Sequence, residues 1–240
     1  MRLPVRMTWK HVGRLYETLA PYLKASPVKM EAPERGRVLV LSPHIDDDVI
    51  GAGGSLIKHA RSGDSIKVVY FADCTEERVR EAEEAGEIIG FKDHEFLGYK
   101  SKKLLEQDDL PDRISLIIKD FQPDIVYLPS LFDRHNDHLA LNHLLAAVHK
   151  KFRFDFTVCA FEVWTALVPN LIVDITDTIS EKKEALSRFK SQLATNDWIE
   201  AATSINRYRG ITSGAGTYAE GFMRFSVKEY YRIWEKVYGQ

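Results

Sequence analysis

The chain has 240 residues, 45% of them apolar, and its 33 basic side chains are nearly matched by 35 acidic ones, for a formal net charge of −2. That length is ample for one continuous apolar core in a single large α/β domain, and the near-neutral balance argues against a nucleic-acid partner, whose phosphates need a basic surface. No stretch approaches the roughly 20 apolar residues that cross a bilayer, and the first residues hold no apolar run of a signal peptide, so a soluble, cytoplasmic protein is expected.

Along the chain, Trp9, Val12, Tyr16, Leu19 and Leu23 recur at the spacing of one helical stripe, which Pro21 should kink or end. Pro27, Pro33 and Gly36 then predict a loop, so residues 1–35 form an N-terminal helical arm and residues 36–240 the main domain. The arm should pack on its own domain. Arg2, Arg6, Lys10 and Arg14 could instead lead it to a membrane surface or partner. RVLVLS is a β-branched strand, followed by a helix over residues 53–63 with Gly63 as its C-cap, and IKVVYFA is a second strand. A charged helix follows, capped by Thr75 and ended by Gly90. HEFLG predicts a strand, residues 112–121 a helix, DIVYLP a strand, and HLALNHLLAAVHKKF an amphipathic helix.

This β-α alternation predicts a three-layer α/β/α sandwich around a mostly parallel, Rossmann-like sheet with right-handed crossovers. TVCAFEVW and NLIVDI add two strands, and the remainder, including Trp198 to Tyr208, should be helix and loop covering one end of the sheet. Cys74 and Cys159 form no CxxC pair and read as packed thiols of a reduced compartment.

In such sheets the functional loops lie beyond the carboxyl ends of the strands. After RVLVLS comes Ser42-Pro43-His44-Ile45-Asp46-Asp47-Asp48, and after DIVYLP comes Asp133-Arg134-His135-Asn136-Asp137-His138. Three consecutive aspartates at a sheet edge need a cation to balance them. His44 and Asp47, with His138 from the second loop, make three protein ligands; with water in the fourth position that is the pattern of a catalytic zinc site. Asp46 is the natural general base, His135 a donor to the oxyanion or leaving amine, and Asp137 an acceptor that orients His135.

PHIDDD after a strand, with HNDH near the middle of the chain, resembles the LmbE-like or PIG-L family of zinc-dependent de-N-acetylases. The likeness extends to Arg78-xx-Glu81, PNLIVDIT, the KSQ at Lys190 to Gln192, and YAEGF from Tyr218, covering about residues 37 to 225. It implies an LmbE-like fold, zinc on His44, Asp47 and His138, Asp46 as base, His135 on the oxyanion or acid side, and Arg78 as a substrate contact; two histidines and a carboxylate suit iron(II) as well. Homo-oligomers are common in the family. Trp198 stands where some relatives have a tyrosine, and an indole N–H donates but cannot accept. The expected reaction is hydrolysis of the N-acetyl group of a small amino sugar or glycoside.

Two rival readings are weaker. A phosphoester hydrolase would use Asp46-x-Asp48, but Ile50 stands where threonine is wanted and the histidines would have no purpose. A metal- and sugar-binding module without turnover is the non-enzymatic alternative. GAGGS lacks the third glycine of GxGxxG, and HEFLG lacks the second histidine of HExxH.

Overall fold

The computed structural model describes residues 8–20 and 27–239. In chain order it contains α1 (Trp9–Leu19), β1 (Val28–Met30), β2 (Val38–Ser42), α2 (Asp47–Arg61), β3 (Ile66–Ala72), α3 (Glu76–Ile89) and β4 (Asp93–Tyr99). Then come α4 (Leu110–Phe121), β5 (Ile125–Pro129), α5 (Asn136–Phe152), β6 (Thr157–Phe161), β7 (Leu171–Asp174), α6 (Ile179–Leu186), α7 (Lys190–Leu193), α8 (Trp198–Ser213), β8 (Ala219–Ser226) and α9 (Val227–Tyr238).

The strands form one sheet in the order β1-β7-β8-β6-β5-β2-β3-β4. Every residue of β2 and β5 is buried, as expected of central strands covered on both faces. One apolar cluster gathers side chains of α1, α4, α5 and α9, the other those of α2, α3, α6 and α8. The result is the expected three-layer α/β/α sandwich. Thr75 caps α3 by accepting from the Arg78 N–H, and Gly90 ends it at φ 103, a conformation that glycine adopts without strain.

The arm helix α1 packs on α9, with Leu15 and Leu19 buried and Tyr16 exposed. Pro21, Leu23, Arg2 and Arg6 lie outside the described residues. Three elements depart from expectation. Residues 28–30, expected in a loop, add β1 to the sheet edge beside β7, where parallel pairing satisfies their backbone. Helix α2 starts at Asp47, well before residue 53, because acidic side chains suit a helix N-terminus and packing overrides the low propensity of its glycines. A Cβ on Gly51 would come within 2.1 Å of Phe161, and one on Gly54 within 2.6 Å of Ile175, so the GAGGS run lets α2 approach the sheet. Finally, β8 runs antiparallel between β6 and β7 in an otherwise parallel sheet.

Candidate active site

The strand order reverses between β2 and β5. From β2 the chain winds through β3 to β4 on one side; after α4 it returns to β5 on the other. The loops leaving these neighbouring carboxyl ends diverge and open a crevice, and the first turns of α2 and α5 meet there. Asp46 is the residue before α2 and His135 the residue before α5.

The turn after β2 is folded by Ser42, whose hydroxyl donates to the His44 carbonyl at 2.7 Å and accepts from the Asp48 N–H at 3.2 Å. Asp47 Oδ2 accepts from the His44 N–H at 2.9 Å and lies 3.1 Å from both His44 Nδ1 and His138 Nε2. The other nitrogen of each imidazole faces a second carboxylate: His44 Nε2 is 3.1 Å from Asp137 Oδ2, and His138 Nδ1 is 3.3 Å from Asp133 Oδ1. His135 closes the cluster, its ring centroid 4.7 Å from that of His44 and 4.8 Å from that of His138.

This donor set fits a divalent metal. Two ligand atoms of one tetrahedral ion with bonds of about 2.0–2.1 Å stand roughly 3.3 Å apart, close to the 3.1 Å separations about Asp47 Oδ2. His138 is fully buried, and neither of its ring nitrogens has an aligned hydrogen-bond partner, a cost that a cation would relieve. The group whose ligand atoms all lie within 4.8 Å of one another is His44, His135 and His138, so it takes in His135 and not Asp47.

The electrostatics separate the three aspartates. Burial resists the charge of Asp47, but His138 and His44 hold its carboxyl well below the usual carboxylate range. Burial and the charge of Asp47 push Asp46 up to about 7. Burial pushes Asp48 up to about 8, with one oxygen accepting from the Tyr70 hydroxyl at 3.1 Å and the other unpartnered. Burial opposes protonation of His44 and His138, yet Asp47, with Asp137 or Asp133, raises them to about 10 and about 9. Two imidazolium protons thus stand where a dication would supply the same charge. Burial and the two neighbouring histidines drop His135 to about 4, so it is neutral.

One expected role is corrected. The Asp137 carboxylate orients His44 instead of His135, and is held by the Ser101 hydroxyl at 2.7 Å and the Lys102 N–H at 2.7 Å. Only the Asp137 N–H reaches His135, at Nδ1, over 3.3 Å. Asp133, given no role from the sequence, backs His138 and also accepts from the His135 N–H at 2.9 Å.

Arg78 is not among the histidines. Its Nη1 donates to the Asp73 carbonyl at 3.4 Å, and with the Gln192 amide oxygen turned toward it, Nε and Nη2 both donate there at 3.1 Å. Trp198 is separated from His135 by Trp164, which stacks on the imidazole at 6.0 Å and meets Trp198 edge-on at 4.8 Å. Trp164 carried no signal in the sequence, since its place depends on where the loop after β6 turns.

Residues 39–149 match the family model PIG-L, GlcNAc-PI de-N-acetylase. A diacetylchitobiose deacetylase from Thermococcus kodakarensis is 25% identical over 90% of this chain and 93% of its own. Among solved structures, a conserved protein from Thermus thermophilus is 26% identical, with TM-score 0.68 over 78% of this chain and 94% of its own. An N,N'-diacetylchitobiose deacetylase from Pyrococcus horikoshii, complexed with an inhibitor, shares the fold at 22% identity, with TM-score 0.68 over 93% and 95% of the two chains. So does a 4-carboxy-2-hydroxymuconate hydratase from Pseudomonas putida, at 24% identity and TM-score 0.62 over 78% and 95%. One architecture hosts different reactions, and the site must decide between them.

Proposed function

We propose that this chain, which carries a PIG-L (LmbE-like) domain over residues 39–149, is a metal-dependent hydrolase that removes the N-acetyl group of a small amino sugar or glycoside. The observation that carries this reading is the convergence of two carboxylate-backed imidazoles on one oxygen of Asp47.

His44, Asp47 and His138 would hold the ion, zinc or iron(II), since two imidazoles and a carboxylate suit both. When bound, such an ion supplies Lewis-acid polarisation and water activation near neutral pH. His135 is left out of this ligand set because no carboxylate backs its ring, unlike the other two.

Asp46, beside Asp47 at the start of α2, is the base that takes a proton from the attacking water. His135 serves the oxyanion. Its Nδ1 accepts the Asp137 N–H, so the neutral ring carries its hydrogen on Nε2, free to donate to a carbonyl oxygen that gains negative charge. As the tetrahedral centre collapses, the proton held by Asp46 goes to the departing amine. Arg78 and Trp198 are the proposed sugar contacts.

The test is acetate release from N-acetylglucosamine and related acetamido sugars, with the protein stripped by chelator and reloaded with zinc. Activity should vanish and return. Asp46→Asn should keep the metal and lose about 10²- to 10⁴-fold in kcat. A metal-loaded wild type inert toward every acetamido sugar would sink the proposal, and a binding module would have no activity for Asp46→Asn to remove.

A further inference from the structure

Helix α5 begins at the histidine cluster and runs 17 residues, about 25 Å, to a second polar cavity at its far end. There it lies against α9. The cavity, about 430 Å³ in volume, is lined by Lys150 and Arg153 from the end of α5 and by Lys228 and Arg232 from α9. One carboxylate lines it as well, that of Glu235, which accepts from the Tyr231 hydroxyl at 3.2 Å. Among the described residues Lys150, Arg153 and Arg232 form no ion pair, and Lys228 reaches only Asp155, at 3.8 Å with both side chains mostly in water.

Helix electrostatics explains half of this charge. Lys150 and Arg153 suit the negative carboxyl end of α5, but Lys228 sits in the first turn of α9, where a helix favours an acid. Arg232, one turn on, adds a like-charge pair that destabilises the helix further. His149 is a separate sign of a missing ligand. It is 6% exposed and lines the same cavity, no group among the described residues hydrogen-bonds to its ring, and its Nδ1 is sealed from water. Native interiors rarely leave such a group unpaired. Burial, then the charges of Lys228 and Arg153, lowers its pKa, so the ring is neutral with one N–H to donate.

We propose that this cavity binds the phosphate dianion of a phosphomonoester. Four cations less one carboxylate leave a surplus of three charges, which a dianion offsets better than a carboxylate does. The guanidinium forks of Arg153 and Arg232 match phosphate oxygens, and the volume over Tyr231 leaves room for the esterified group. This site is distinct from the hydrolytic centre and does not depend on the reading given to it.

The experiment follows the His149 imidazole signal by NMR while inorganic phosphate is added at constant ionic strength to chelator-stripped protein, so that no metal competes for the anion. In wild type the signal should shift and saturate, and its pKa should rise as the anion offsets the neighbouring cations. Affinity in the Lys228→Gln/Arg232→Gln double variant should fall about tenfold or more. Removing a like-charge pair should leave that variant at least as stable in urea, so weaker binding is not unfolding. Acetate should bind wild type at least about tenfold more weakly than phosphate. Phenyl phosphate and phosphatidylcholine vesicles with or without phosphatidic acid distinguish the sources. Phenyl phosphate binding tighter than inorganic phosphate marks a soluble ester, and vesicle binding that needs phosphatidic acid and is lost in the double variant marks a lipid headgroup. A His149 signal indifferent to phosphate, undiminished affinity in the double variant, or acetate bound as tightly as phosphate overturns the site.

Discussion

At the scale of single residues, two of the site's imidazoles, His44 and His138, each face a carboxylate at both ring nitrogens. A ring held at one nitrogen can still rotate, whereas carboxylates on both sides fix its plane and tautomer. Asp137 grips His44 and is itself anchored by Ser101 and by Lys102, whose φ of 65 aims its N–H at the carboxylate. Asp137→Asn should therefore weaken zinc binding by about 10- to 100-fold, measured by competition with a chromogenic chelator. Asp133→Asn should do the same through His138. Unchanged zinc affinity in both would show that these carboxylates do not orient the ligands. His44, Asp46, Asp47, His135 and His138 were legible in the sequence because each loop carries its residues within a few positions, and strand context places both loops at one edge. Ser101, Lys102 and Trp164 were not. They arrive from the loops after β4 and β6, and nothing short of the sheet order brings those loops to the crevice.

At the scale of elements, helix α2 carries half of the site and is tied to three others by a buried ion pair. Lys182 of α6 is fully buried and donates to the Ile50 carbonyl at 2.9 Å, to Asn206 of α8 at 2.9 Å and to Glu220 of β8 at 2.7 Å, which uses all three of its hydrogens. Glu220 in turn accepts from the Gly54 and Ser55 N–H groups of α2, both at 2.8 Å. Lys182→Met removes the cation and leaves a carboxylate buried without its partner, at a cost of about 3–5 kcal/mol. Urea unfolding should register that loss, and adding Glu220→Gln should recover part of it. A loss under about 1 kcal/mol would mean that water or a local shift replaces the pair. In SEKKEAL this lysine looks like any solvated surface lysine, so the sequence could not mark it. The R-xx-E and KSQ motifs were visible, but only packing explains them together. Glu81 of α3 accepts from the Ser191 N–H at 2.8 Å and its hydroxyl at 2.6 Å, and Arg78 meets Gln192, so the two motifs dock α7 on α3. A capping box of Ser226 and Glu229 starts α9.

At the scale of the whole molecule, the alternation of strands and helices was enough to predict the layers, because each buried strand reads as an unbroken apolar run. The antiparallel β8 and edge strand β1 were not predicted, since β1 has only three residues and pairs with β7 alone, and β8 is defined by its place between β6 and β7. The layer formed by α1, α4, α5 and α9 contains a proton-linked contact remote from the crevice. His143 of α5 is 1% exposed and accepts at Nδ1 from the Trp234 indole N–H of α9 at 2.7 Å. Burial, with a smaller contribution from His11 of α1, lowers its pKa from 6.5 to about 4. Between those values the unfolded chain binds a proton that the native state refuses. The stabilising contribution is therefore complete above pH 6.5 and falls as the pH drops toward 4, by up to about 3 kcal/mol. Other buried histidines, His59, His94, His135 and His149, are lowered in the same sense, and Asp46 and Asp48, raised by burial, act in the opposite one, so the total curve does not isolate this one. The difference between wild type and His143→Gln does, because glutamine can accept the indole hydrogen but cannot titrate. Unfolding free energies of the two proteins, followed from pH 7 to pH 4.5, should converge or cross as wild type loses stability faster. Parallel curves would mean that His143 takes up its proton in the native state as readily as in the unfolded chain, and that the α5–α9 contact is indifferent to pH.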